Sequence, residues 1–379
     1  MFEYETMRLI WWVLIGIVIT GFTLTEGFDF GVGALLTLVG KTDLERRVVI
    51  NAVGATWEGN QVWLVLLGGA IFAIWPPVYA TLFSGLYIAM MLLLFALFLR
   101  PAGFDYRSKI EHSLWRNAWD WALVLGGVLP PLLFGVLIGN LLIGLPFHLD
   151  RDLLSNYEGS FFSLLGPFQL LCGLVALQIT TFHGAVYLKW RTDGDVRDRS
   201  SRVIKALGPT LILSLIAGAA WLILEYDRPE IISMAGKNAP SNPLKKEVLA
   251  HGKGWLQHFL ESKWMLCAPL LAVLGFSKAW LFAPSRFDKI TFLASSIGII
   301  GVLFTVGFGL FPFLLISTID PRSSLTIWDA SSSHMVLTIA LVISVIFLPI
   351  VLLYTRWVYR VMWGTITTDM IEKNTHKLY

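Results

Sequence analysis

The chain has 379 residues, of which 56% are hydrophobic and 15% charged, and its formal net charge is +3. A soluble domain carries about 25% charged residues, so there is too little charge here to coat a soluble surface, and the apolar fraction excludes a disordered chain. Two cysteines, Cys172 and Cys267, exclude a disulfide scaffold. The small net charge gives no sign of a nucleic-acid partner, so a polytopic membrane protein remains.

In chain order, nine segments reach the roughly 20 mostly apolar residues that a bilayer-spanning helix needs: 9–39, 54–74, 78–100, 117–145, 161–188, 204–226, 264–283, 288–316 and 334–363. The opening stretch 1–8 is acidic and lacks the marks of a cleaved secretory signal, so the first helix is expected to stay as an anchor. Trp75-Pro76-Pro77 is expected to be a tight turn between the second and third spans, because proline cannot continue a helix. Pro130-Pro131 falls inside the fourth span and is read as a kink. Segment 227–263, with Pro229, Pro240 and Pro243, is large enough for a small external cap. It divides the chain into a first membrane half, 1–226, and a C-terminal membrane part with its tail, 264–379. Apolar runs such as 339–353 show no β-barrel alternation, so the expected fold is all-α. Nine spans put the termini on opposite sides. With the N-terminus outside, Lys and Arg concentrate in the segments that face inside. Tryptophans near span ends, such as Trp11, Trp75, Trp115 and Trp357, read as an interfacial belt.

Ionisable side chains at membrane depth are costly and each is a functional hypothesis. In Thr25-Glu26-Gly27-Phe28-Asp29, Glu26 and Asp29 are three apart and share one helix face. Two poorly solvated carboxylates repel each other, which favours at least one proton at neutral pH. The pair suits a proton relay, or else a helix-packing site with hydrogen-bonded carboxylates. In Thr56-Trp57-Glu58-Gly59-Asn60-Gln61, Glu58 and Gln61 lie on one face with Asn60 adjacent, and Glu58 is expected near Asp29 at one depth. Arg100 closes the third span and reads first as a positive-inside anchor. Asp105 and Lys109 are four apart; they make either a surface pair worth little or the mouth of a proton path to Glu58. His183, deep in the fifth span, reads as a hydrogen-bonded interior residue, because one histidine cannot hold haem alone. Lys278, near a span end, is expected to snorkel. No metal site, phosphate-binding loop or nucleophile elbow is visible.

At the first two clusters the sequence resembles subunit II of the cytochrome bd quinol oxidases. The resemblance is carried by Thr25-Glu26-Gly27-Phe28-Asp29-Phe30-Gly31-Val32-Gly33, Glu45-Arg46-Arg47 and Trp57-Glu58-Gly59-Asn60-Gln61-Val62-Trp63-Leu64. It continues through Phe98-Leu99-Arg100-Pro101, Phe104-Asp105-Tyr106-Arg107, Phe311-Pro312-Phe313, the run from Ser323 to Ser333, and Leu378-Tyr379, and so covers the whole chain. The match looks like the ubiquinol-oxidising enzymes of Gram-negative bacteria. It implies nine helices in two four-helix bundles plus one peripheral helix, in the bacterial cytoplasmic (inner) membrane, with a periplasmic N-terminus. It implies a pseudo-symmetric dimer with a haem-bearing subunit I that carries haem b and haem d, together with a very small single-span accessory subunit and membrane lipids. The complex would oxidise ubiquinol and reduce dioxygen to water with cytoplasmic protons, electrogenically and without pumping. A structural quinone in this chain is left open.

Carried over by position, the resemblance makes Glu58 the central proton carrier and puts Asp105, Lys109 and Tyr379 on the cytoplasmic approach. Glu26 and Asp29 match the acidic pair of the first helix. Trp57, Asn60, Gln61 and Arg100 support the path, and Trp63 matches a position near a proposed oxygen route. Some relatives have Asp where this chain has Glu26 and Glu58, and Thr56 replaces a His found in close relatives. Two other readings compete: a proton-coupled secondary transporter, with broken helices around a midplane site, and a purely structural subunit.

Overall fold

The computed structural model describes residues 2–252, 254–373 and 379. The helices are α1 (Tyr4–Val39), α2 (Asp43–Gly54), α3 (Trp57–Ile74), α4 (Pro76–Gly85), α5 (Tyr87–Tyr106), α6 (Ser113–Ile143), α7 (Pro167–Arg191), α8 (Gly194–Glu225), α9 (Trp255–Glu261), α10 (Cys267–Leu281), α11 (Asp288–Leu310), α12 (His334–Val361) and α13 (Thr368–Lys373). Three short antiparallel hairpins join them: β1 (Phe147–Leu149) with β2 (Ser155–Tyr157), β3 (Glu230–Met234) with β4 (Lys246–Leu249), and β5 (Phe313–Leu315) with β6 (Leu325–Thr326).

Nine of the helices among the described residues are long and apolar enough to cross a membrane, as expected. α1, α3, α5 and α6 pack as one bundle, and α7, α8, α10 and α11 as a second; α7 joins them by packing on both α1 and α6. α12 touches α1 and α3 and buries only Leu337. Lipid tails are as apolar as leucine, so close backbone approach holds such bundles together. At the α1–α7 crossing Gly31 and Gly184 supply it: a Cβ on Gly184 would stand 2.5 Å from the Gly31 carbonyl carbon.

Several boundaries differ from the sequence reading. Trp75 alone breaks the chain, and Pro76-Pro77 start α4, where the missing N–H costs nothing. The third span is interrupted again at Leu86 and runs on to Tyr106. α6 carries Pro130-Pro131 inside one continuous helix, a single span as read. α8 begins ten residues earlier than its apolar stretch, because its charged first turns reach other helices by ion pairs rather than lipid. The segment between the first two spans is the helix α2, started by a capping box: Thr42 Oγ1 accepts from Glu45 N at 3.2 Å, and Glu45 Oε2 accepts from Thr42 N at 3.0 Å.

The expected cap is built from β3, β4 and α9. Arg8 of α1 is fully buried beneath it and donates to the Lys237 and Ala239 carbonyls and to the Ser241 and Ser331 hydroxyls. Lys246 of β4 pairs with Asp329 at 2.9 Å.

Candidate proton-handling site

Helices α1, α3 and α5 bring a buried polar cluster together within the first bundle. Glu26, Asp29, Asn60 and Arg100 are each at most 3% exposed. Arg100 ion-pairs with Glu26 Oε1. Its guanidinium lies 4.9 Å from the Phe30 ring and 5.8 Å from the Trp57 ring, so aromatic faces replace water around the cation. Asn60 Nδ2 donates to Asp29 Oδ2 at 2.7 Å. Tyr359, reaching in from α12, donates its hydroxyl to Asn60 Oδ1, also at 2.7 Å. Glu26 Oε2 and Asp29 Oδ1 are buried and receive no hydrogen bond.

Two expectations need correction here. Arg100 is not an interfacial anchor: α5 turns it inward to meet Glu26. Glu58 is not the neighbour of Asp29. Residues two apart on a helix point to nearly opposite sides, so α3 turns Asn60 into the cluster and Glu58 out of it. Gln61 is half-buried beside that outward face. Trp63 is buried with Val18, Phe22, Phe30, Leu93 and Leu97, its ring against Gly21 of α1.

Glu58, Asp105 and Lys109 are exposed and make no hydrogen bond or ion pair among the described residues. Tyr379 lies close to the first two. Its backbone nitrogen donates to Asn51 Oδ1 at 3.1 Å, and its backbone oxygen accepts from Asn51 Nδ2 at 2.9 Å and from Arg47 Nε at 3.0 Å. Gly54 makes room for the Tyr379 ring, which a Cβ there would meet at 2.7 Å. Burial raises the affinity of the phenol for its proton, and the Asp105 and Glu58 carboxylates add to the effect. The ring meets Phe104 edge-on at 5.4 Å, and Phe104 stacks on Trp57 at 4.9 Å. Aromatic contacts therefore lead from Tyr379 to Arg100.

The sequence reading missed three residues. Tyr359 sits on an apolar helix with nothing local to mark it. Tyr187 stacks on Phe28 at 4.0 Å and donates to the Ala52 carbonyl at 3.2 Å. Asp120 was legible as the acid between Trp119 and Trp121. It is fully buried and accepts from Arg46 Nη1 at 2.8 Å and Arg107 Nε at 2.5 Å. Arg107 and Arg116 also hold Asp43, so this ion cluster ties α2 and α6 to the turn that follows α5. His183 is the satisfied interior residue expected: its ring nitrogens meet Ser295 Oγ at 2.8 Å and the Leu24 carbonyl at 3.2 Å.

Residues 7–362 match the sequence profile of the family described as cytochrome bd terminal oxidase subunit II. The chain belongs to that family. It is 44% identical to cytochrome bd-I ubiquinol oxidase subunit 2 of Escherichia coli (strain K12), over 100% of both chains. It is equally similar, over the same share, to a probable cytochrome oxidase subunit 2 of Haemophilus influenzae. Cytochrome bd ubiquinol oxidase subunit 2 of Bacillus subtilis is 29% identical over 93% of this chain and 94% of its own length. A chain of the bd oxidase from Geobacillus thermodenitrificans superposes with a TM-score of 0.70 at 15% identity, covering 94% of this chain and 98% of that one, which shows a shared fold. Subunit II is thus a component of a respiratory bd-type ubiquinol oxidase, and membership implies a subunit I partner. The transporter reading gives way to it.

Proposed function

We propose that this chain is the haem-free half of the oxidase: it supplies the cytoplasmic proton-uptake path and the membrane scaffold for subunit I. Glu58 carries the reading. It is exposed on α3 beside Val62 and Val65, themselves 54% and 73% exposed. A carboxylate facing hydrocarbon would be costly, so this face is covered by subunit I, and Glu58 hands protons across the boundary. Tyr379 and Asp105 form the approach to it, with Lys109 at the mouth. The buried pair Glu26 and Asp29 holds a proton beside that route, with Trp57, Asn60, Gln61 and Arg100 supporting it. Trp63 lines the oxygen route.

In this reading the cap faces the periplasm and the Asp120 ion cluster the cytoplasm of the inner membrane. Residues 1–226 and 264–379 form the two membrane parts around the 227–263 loop. Haem b and haem d belong to subunit I, ubiquinol is oxidised and dioxygen reduced to water without pumping, and a single-span accessory subunit and lipids complete the assembly. His183, deep in α7, has both ring nitrogens engaged and offers no free axial ligand to a haem. An open groove of about 460 Å³ beside the cap, walled by Leu9, Ile231, Met234, Phe311 and Trp328 with the Glu5–Lys237 ion pair at its edge, would hold a structural quinone.

The test is Glu58→Gln in the purified complex. Quinol-oxidase turnover should collapse while the reduced-minus-oxidised haem spectrum is unchanged. Full turnover would leave only the scaffold role. The same spectrum on the chain expressed alone should show no haem.

A further inference from the structure

The hydrogen bonds around Glu26 and Asp29 account for one oxygen of each carboxyl. Arg100 donates to Glu26 Oε1 and Asn60 donates to Asp29 Oδ2, so both of these oxygens accept. The other two, Glu26 Oε2 and Asp29 Oδ1, are buried and receive nothing from the protein. Three apart on α1, the two side chains are neighbours on one helix face, with Cβ atoms about 5–6 Å apart. Two acceptors so placed in low dielectric repel unless a proton lies between them. One proton on the pair also leaves a single negative charge against the single positive charge of Arg100, the balance that burial demands.

Asn60 decides which oxygen of Asp29 is free. Its amide offers an N–H to Asp29, and Tyr359, donating to the amide oxygen at 2.7 Å, favours that way round. Without the Tyr359 hydroxyl, the amide can turn over and present Oδ1 to Asp29, which then binds best with a proton on Oδ2. Thr56 and Tyr187 are the other polar groups beside Tyr359, and Arg100 is the cation facing the pair.

We propose that the pair shares one proton between Glu26 Oε2 and Asp29 Oδ1, and that Tyr359, acting through Asn60, is the positioning residue that keeps it there. This rests on the reading of the pair as a proton carrier, and it gives the peripheral helix α12 a role in that site.

The test is infrared spectroscopy of the intact complex, following the deuterium-sensitive C=O stretch of a protonated carboxyl, with haem content as the check on assembly. The band should be lost in both Glu26→Gln and Asp29→Asn and should move in Tyr359→Phe at unchanged haem content. If Glu26→Gln fails to assemble because Arg100 loses its partner, Glu26→Asp keeps the charge and should move the band. An unmoved band in Tyr359→Phe overturns the positioning role while the pair remains a proton carrier. Loss in only one carboxyl variant overturns the sharing. A band that survives every change on the pair removes the proton altogether, and the reading beneath the proposal goes with it.

Discussion

Removing the Arg100 guanidinium would leave Glu26 fully buried with no cation in contact. Breaking a buried pair from one side costs about 3–5 kcal/mol, because the stranded charge keeps its desolvation penalty. Arg100→Gln should therefore lower the melting temperature of the purified complex sharply, and Arg100→Gln with Glu26→Gln should regain part of the loss. An Arg100→Gln complex as stable as wild type would mean that Glu26 is neutral without its partner. Arg100 and Glu26 are 74 residues apart, so their pairing was not legible in the sequence. The acidic pair was legible, since a spacing of three fixes a shared helix face whatever the tertiary contacts. Asn60 was legible only as a neighbour of Glu58. Which of the two faces Asp29 depends on the rotation of α3 about its axis, and that is set by packing of Trp57 and Trp63.

At the scale of elements, α2 is a short helix held beside the bundles by ion pairs. Arg199 of α8 donates to both oxygens of Glu45, at 2.8 and 3.0 Å. These bonds hold the Glu45 carboxyl down at about 2 from an ordinary 4.5, against the opposing effect of burial. A carboxyl whose folded value is depressed contributes stability above its unfolded value and loses it as pH falls through the folded one. The contribution of Glu45 should thus be complete above pH 4.5 and fade towards about 2. Glu45→Gln should melt lower than wild type above pH 4.5, and the two curves should converge as pH falls. Parallel curves across that window would show that the Arg199 bridge contributes nothing. The spans themselves were legible because hydrocarbon thickness imposes their length. The α2 helix was not, because its apolar face is short and its partners lie in α1, α7 and α13.

At the scale of the whole molecule, the cap is fastened by buried charge. The Lys246 and Asp329 side chains are 1% and 9% exposed. Burial lowers the affinity of Lys246 for its proton, and Asp329 opposes that. Asp329→Asn removes the opposition. The folded protein then binds the Lys246 proton more weakly than the unfolded chain, so stability is lost at neutral pH and returns as pH rises towards the ordinary lysine value of 10.5. Limited proteolysis of 227–263 against pH should show that recovery; cleavage indifferent to pH would mean Lys246 is already neutral. The sequence by itself determined the membrane class, the nine spans, the location of the cap and the family, because span length, charge deficit and local motifs are properties of contiguous residues. The tertiary structure alone decided that Arg100 points inward, that Glu58 faces outward, that Asp120 knots one end of the first bundle and that Tyr359 reaches the acidic pair. Each of these depends on how a helix is rotated and what stands opposite it, and packing between segments distant in the chain settles that rotation.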